Sequence, residues 1–378
     1  MNTNKYSTIF GMDVHARSTT VCAVVRETGE TQTKKFSNCP TPAEIASWMQ
    51  TFPGPHYAAY ESGCTGFHLC RELGTLGITC DVVAVSSIAR SAEDKKKKND
   101  KRDARRLASE IVKPLSDLSR VWLPDPDLEG ARDVGRAYKS AVKSLNAEKK
   151  RLMSLLLRNG HIWNERTASG ELKKTFTQAY WKWVDSITLA SPGANDTLAF
   201  YKRSVKDATE RVNRAKQILD TSIKDPRYKP YVDALCCLKG VSDIGAYTYT
   251  VEIGTFSRFS SGRTLPCWAG ITPAERSSAD TTRQGHITKA GNTYVRLNLA
   301  EGANALLLAK PTDKPLRKGA CVSDEVRAHA RCGNHRLIER AQTIKQAKKP
   351  HNVSKIAIAN ELIRWIWAIG CMVEEEQK

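Results

Sequence analysis

The sequence predicts an α/β N-terminal domain, a helical coiled-coil arm and a mainly α C-terminal domain, and three observations carry that expectation. Short β-rich runs alternate with helical ones over the first hundred residues. Two long stretches between 130 and 220 keep apolar residues at alternating spacings of four and three. Beyond 226 the chain returns to shorter, Gly-punctuated segments.

In order, residues 9–14, 19–25, 31–36, 56–61 and 78–85 read as strands, and 41–49 and 66–76 as helices. Three successive strands closed by polar turns, followed by helix, strand, helix, strand, give a mixed sheet. In the arm, Val134, Tyr138, Ala141, Leu145, Glu148, Leu152 and Leu155 form one seam, broken only by Glu148. Leu198, Tyr201, Val205, Ala208, Val212, Ala215 and Leu219 form a second, unbroken seam. Periodicity leaves open whether a helix of the same chain or of a second copy fills each seam.

Past residue 310 the chain reads as a basic, weakly patterned extension. Residues 312–350 hold ten Lys/Arg against four Asp/Glu, which suits either phosphate contact or a solubilising tail. A last helix at 356–373, with Trp365 and Trp367, is expected to pack back on the body. The organisation expected is therefore 1–112, 113–225, 226–310 and 311–378.

The 378 residues carry 59 Lys+Arg against 40 Asp+Glu, a net charge of +19 that points to a polyanionic partner. Eleven cysteines with no C-x2-C pair read as reduced thiols and argue against a structural zinc. No stretch reads as a membrane span and the N-terminus lacks the pattern of a signal peptide, so a cytoplasmic protein with no membrane partner is expected.

Four acids carry the chemistry. Asp13 interrupts an apolar strand, where an ionised carboxylate needs a partner and a bound cation would supply one. Glu61 ends another strand ahead of a Gly-containing turn. Asp100 and Asp103 stand three apart in a run of good helix formers, on one helical face. Two strand acids and two helix acids suit a pair of divalent ions roughly 4 Å apart, and hard oxygen ligands select Mg²⁺, or Mn²⁺, over zinc. Each acid alone also fits a solvated surface group. The order of elements and acids is compatible with an RNase H-like fold. Around the last two, residues 90–106 hold nine Lys/Arg: Arg90, Lys95, Lys96, Lys97, Lys98, Lys101, Arg102, Arg105 and Arg106. Such a segment would draw phosphate towards a metal cluster.

Further on, residues 238–254 read as a helix-hairpin-helix, with Lys239, Gly240 and Gly245 in a hairpin whose N–H groups suit a phosphate. Residues 269–296 add Ser277 and Ser278 beside Arg283, His286, Lys289, Asn292 and Arg296. A hydroxyl nucleophile flanked by cations suits attack on a phosphodiester, although adjacent serines in a polar loop also fit a plain loop.

Taken together, Gly-Met-Asp-Val-His at 11–15, the segment 60–66, the Asp100 to Ala108 run, the Gly240 to Gly245 hairpin and the 269–292 strip resemble bacterial insertion-sequence transposases. These are the bridge-RNA-guided recombinases with a RuvC-like DEDD domain and a C-terminal serine domain. The resemblance covers nearly all of the chain to about residue 310. It implies a DNA recombinase in which Asp13, Glu61, Asp100 and Asp103 form the metal-binding set and Ser278, five residues after Pro273, is the nucleophile, with Ser277 the alternative. It further implies donor and target DNA, a guide noncoding RNA, a homo-oligomer (dimer or tetramer) and a nucleoid-associated location as partners and setting. The segment after Glu61 departs from the family's Gly-x-Tyr pattern, which bears on how that carboxylate reaches. Two rival readings are a Holliday-junction-type metal nuclease with water as nucleophile, and a non-catalytic nucleic-acid-binding protein.

Overall fold

In a computed structural model of the chain, which describes residues 3–85, 100–113, 118–275 and 284–378, the first β-rich runs form one five-stranded sheet. Its strands are β1 (Thr8–Val14), β2 (Thr19–Val25), β3 (Thr31–Phe36), β4 (His56–Glu61) and β5 (Thr79–Val83), in the order β3-β2-β1-β4-β5. β1 to β3 form an antiparallel meander, while β4 and β5 join parallel to β1, so the sheet is mixed as expected. The helices α1 (Pro42–Met49) and α2 (His68–Thr75) connect the later strands. Thr41 and Glu44 close α1 with a reciprocal capping box.

Strand alternation decides what each face buries. Phe10, Met12, Val21, Ala23, Ala58 and Tyr60 pack with Ile45, Met49 and Leu73 on one side. The residues between them face α3 (Asp100–Val112), where Ile9, Tyr57, Ala59 and Val83 meet Leu107 and Ile111. Cys22 and Val24 meet Ala104 and Ala108 on the same side. Gly11 lets this helix lie against the sheet, because a Cβ there would overlap the Ala104 carbonyl and the Ala108 amide, both backbone. Gly11→Ala is expected to cost about 1–3 kcal/mol by forcing α3 outward. Urea unfolding checks this, and a shift below ~0.5 kcal/mol, the range of a neutral surface change, would show that the close approach is not needed.

The chain divides into two compact units, Met1–Pro124 and Asp125–Lys378. The second unit spans the arm, the Gly-punctuated region and the basic extension. Asp125 caps α4 (Pro126–Arg158), and Ser191 caps α6 (Pro192–Ile223). α4 and α6 pack together more extensively than any other pair of elements, so the same chain fills the seam. Leu152, Leu155, Leu198 and Val205 are buried there, and α5 (Gln178–Asp185) closes this core with Tyr180 and Val184. Next come α7 (Lys229–Leu235), α8 (Asp243–Ile253) and α9 (Leu265–Trp268). A short hairpin of β6 (Pro273–Glu275) and β7 (Gln284–Ile287), which the sequence pattern does not predict, precedes α10 (Thr293–Leu307).

Two expectations fail in the last quarter. The stretch that reads as weakly patterned contains α11 (Asp324–Gln346), which buries Val326, Ala330, Gly333, Leu337, Ile338 and Ala341. Its stripe uses small residues, with Gly333 lying beneath the Trp365 ring, so hydrophobicity is low although spacing is helical. α12 (His351–Glu376) is longer than expected, and by length and composition it is apolar enough to cross a membrane. The physical reason is packing: Ile358, Leu362, Ile363, Ile366, Ile369 and Val373 are buried, and the helix contacts α7, α9, α10 and α11.

Candidate metal centre and the distal polar core

Sheet register sets out the first site. Lys35, Thr20 and Asp13 lie in one row across β3, β2 and β1, and Met12 pairs with Tyr60, so Glu61 continues the row on β4. All lie on the face covered by α3, whose first turn carries Asp100 and Asp103. The structure therefore brings the four predicted acids to one end of the sheet. They fall into two groups held by basic side chains. His15 Nε2 lies 3.1 Å from Asp13 Oδ2 and 3.7 Å from Asp100 Oδ1, and Lys35 Nζ reaches Asp100 Oδ2 at 3.0 Å. Arg106 reaches Asp103 at 3.1 Å and Glu61 at 3.4 Å.

The electrostatics separate the acids. Burial pushes the Asp13 carboxyl above its ordinary range, and the neighbouring Asp100 and Asp103 carboxylates add to this, while His15 opposes it. Lys35 holds Asp100 below the usual carboxylate range. Asp13, His15 and Asp100 offer ligand atoms within 4.8 Å of one another. Beside Asp13, the buried Thr20 Oγ1 is without a hydrogen-bond partner among the described residues. Crowded carboxylates, a convergent ligand set and an unsatisfied polar atom fit a cation bound at this end of the sheet.

His15, Lys35 and Thr20 are not among the residues that the sequence singles out. For His15 a signal exists, since it stands two residues after Asp13 and a strand places such residues on one side. Lys35 joins Asp100 across 65 positions of chain, which no local pattern reports.

Of the cations expected to meet nucleic acid, Lys101, Arg102 and Arg105 are exposed on α3, whereas Arg106 turns inward to Glu61 and Asp103. That inward turn has a local cause: a helical position three after Asp103 faces the same carboxylates. Arg90, Lys95, Lys96, Lys97, Lys98, Ser277, Ser278 and Arg283 lie outside the described residues.

In the second unit the two distal motifs meet at a buried carboxylate. Glu252 on α8, 2% exposed, receives Arg136 Nε at 2.8 Å and Nη2 at 2.9 Å, and the Asn292 amide at 2.7 Å. Arg132, also buried, donates to the Val251 and Glu252 carbonyls. Burial lowers the Arg132 pKa and the Glu252 charge works against this, while Glu252 raises that of Arg136. Asn292 additionally caps α10 through Val295 N–H. Its helix carries Arg296, which donates to the Ala269 carbonyl. Lys289 is exposed with a φ of 54°.

In the hairpin between α7 and α8, Lys239 N–H donates to Asn334 Oδ1 and its ammonium to the Lys310 carbonyl and Thr312 hydroxyl. Gly240 has a φ of 79° and packs against the Gly302 backbone. Gly245 N–H donates to the Ser242 hydroxyl. Lys239, Gly245, Asn292 and Arg296 thus bond within the protein, and Gly240 packs within it.

A mixed sheet with an acidic edge, followed by a helical region, fits a DEDD nuclease-like protein. Residues 10–159 match the DEDD transposase model of IS110 elements, and residues 232–316 match the model described as "Transposase IS116/IS110/IS902 family". A putative transposase of Sinorhizobium fredii is 33% identical over 319 residues, spanning 83% of this chain and 75% of the relative. A transposase for insertion sequence element IS1533 of Leptospira borgpetersenii is 28% identical, over 55% of this chain and 58% of the relative. A probable family 20 transposase of Pseudomonas aeruginosa is 23% identical, over 86% and 87%. The chain belongs to the IS110 family of transposases.

Proposed function

We propose that this transposase cuts and rejoins DNA strands of a mobile insertion sequence, using Ser278 as nucleophile and Asp13, Glu61, Asp100 and Asp103 to hold Mg²⁺ or Mn²⁺. A noncoding RNA selects donor and target DNA by base pairing, and the active form is a homo-oligomer. The observation that carries the reading is that two parallel strands and α3 bring four acids to one end of the sheet, where Asp13 and Asp100 stand with His15 at ligand spacing. Family membership supports it further.

Bound there, a divalent cation supplies Lewis-acid stabilisation of charge growing on a phosphate oxygen. Asp13 and Asp100 provide hard oxygen ligands, and His15 adds a nitrogen that Mn²⁺ accepts more readily than Mg²⁺. Lys35 and Arg106 keep the carboxylates oriented while neutralising part of their repulsion. Ser278 Oγ forms a bond to phosphorus as the bond to the sugar oxygen breaks. The serine gives up its proton and the departing oxygen takes one up, leaving a phosphoserine ester that a second strand can attack.

Trapping covalent protein–DNA adducts tests this. Wild type with Mg²⁺ and the guide RNA is expected to give an adduct, and Ser278→Ala is expected to give neither adduct nor product. Cleavage by Ser278→Ala at the wild-type rate would instead favour a nuclease that uses water. Binding indifferent to EDTA, with no strand scission, would reduce the protein to a non-catalytic binder.

A further inference from the structure

α11 and α12, joined by residues 347–350, pack against each other and frame a groove of about 800 Å³ whose far wall is Ile271 and Pro273. Three guanidiniums enter it, Arg336 and Arg340 from α11 and Arg364 from α12. One carboxylate, Glu361, opposes them and is bonded to Arg336 at 3.0 Å. The charge balance therefore favours an anion. Arg340 and Arg364 are exposed and Arg364 donates to the Asn360 side chain, so both can turn to a ligand at small cost.

Beside the arginines the groove floor is aromatic. Trp365 and His329 sit with ring centroids 4.9 Å apart. His329 Nε2 is buried and without a hydrogen-bond partner among the described residues, and burial holds the imidazole below its ordinary pKa. At pH 7 it is thus a neutral flat ring next to an indole. Guanidiniums along a groove with an aromatic platform in its floor make the surface on which unpaired bases stack while their phosphates are neutralised. A volume of this order has room for about two or three nucleotides.

We propose that this groove binds one unpaired strand of the DNA being recombined, with Arg336, Arg340 and Arg364 on its phosphates and a base against Trp365. DNA is chosen over RNA because the segment forming the far wall carries Ser278 five residues after Pro273, and the strand to be cut must be fed to that serine. This choice rests on the proposed role of Ser278.

The test uses the full-length protein in EDTA, so that strand cutting is silent. Fluorescence anisotropy is recorded with a 20-nucleotide single-stranded DNA, the same sequence as RNA, and its duplex, across a salt series. Arg340→Ala/Arg364→Ala is expected to weaken single-stranded DNA binding at least tenfold. The slope of log affinity against log salt should become shallower by about 1.4, roughly 0.7 for each phosphate that is no longer neutralised. Duplex binding should stay within twofold of wild type, and the RNA, which presents the same phosphates and base faces, should weaken no more than the DNA. A matched removal of two exposed charges on α6, Arg211→Ala/Arg214→Ala, should have no such effect on single-stranded DNA. Unchanged single-stranded DNA binding, a larger loss for RNA than for DNA, or an equal loss from the α6 pair would each overturn the proposal. Ser278→Ala should bind the strand as wild type does, and a failed nucleophile assignment would appear, in a parallel cleavage assay with Mg²⁺, as unaltered cleavage with the groove intact.

Discussion

Asp13→Asn is expected to reduce metal-dependent strand cleavage by ~10³-fold or more while raising the thermal stability of the metal-free protein at neutral pH. The loss follows from removing the least exposed member of the ligand set, whose contribution to charge stabilisation at phosphate is worth several kcal/mol, or about tenfold per 1.36 kcal/mol. The gain in stability follows from the sign of the pKa shift. The folded state holds the Asp13 carboxyl above its unfolded value of 3.8, chiefly through burial and then through Asp100 and Asp103. A carboxyl raised in this way gives stability that is present below the unfolded pKa and lost as pH rises through the folded one. At pH 7 the wild type therefore carries a penalty that asparagine removes. Thermal melts in EDTA should show the variant melting higher at pH 7, with the gap closing as pH falls towards 4. Adding Mn²⁺ should raise the wild-type Tm and leave the variant unmoved, because only the wild type binds the ion in its native state. A variant that cleaves within tenfold of wild type, or melts lower at pH 7, would remove Asp13 from the centre.

Much of this site can be read from the chain because strands and helices write their geometry locally. Asp13 interrupts an alternation in which Phe10 and Met12 face one core and Ile9 and Gly11 face α3. Two acids three apart in a helix-forming run must share a face, as Asp100 and Asp103 do. Long-range choices are illegible. Nothing near Lys35 announces Asp100, and Arg106 reads as one of a run of phosphate-binding cations because its spatial neighbours are distant in sequence or hidden by helical geometry. α11 is hidden for a different reason. Its buried stripe relies on Ala330, Gly333, Asn334 and Ala341, residues that fit close against Trp365 and the α7–α8 hairpin but add little hydrophobicity to the sequence. The hairpin of β6 and β7 is too short for periodicity to register.

The distal polar core gives the largest stability effect. Glu252→Ala is expected to destabilise the protein by about 3–5 kcal/mol, the cost of breaking a buried ion pair from one side. One hint lies in the chain itself, an acid in the otherwise uncharged run from Ile244 to Ile253, and packing explains why it is tolerated there. The Glu252 carboxylate binds Arg136 through both oxygens, accepts from Asn292, and is the principal counter-charge for buried Arg132. Its removal takes the principal counter-charge from that guanidinium in a low-dielectric interior and frees Asn292, whose other task is to cap α10. Arg136 is 39% exposed on its side chain and can turn to water, so the loss falls mainly on Arg132 and Asn292. Glu252→Gln keeps the size and one acceptor oxygen but not the charge, and should lose less than the alanine variant. At roughly 2–4 °C per kcal/mol for a unit of this size, the alanine variant should melt on the order of 10 °C lower. Adding Arg136→Ala to Glu252→Ala should cost less than the sum of the two single changes, because the second removes a partner that is already gone. Additive losses, or a drop under ~1 kcal/mol for Glu252→Ala, would mean that the carboxylate is a passenger and that α8 and the Asn292 segment are joined by apolar packing instead.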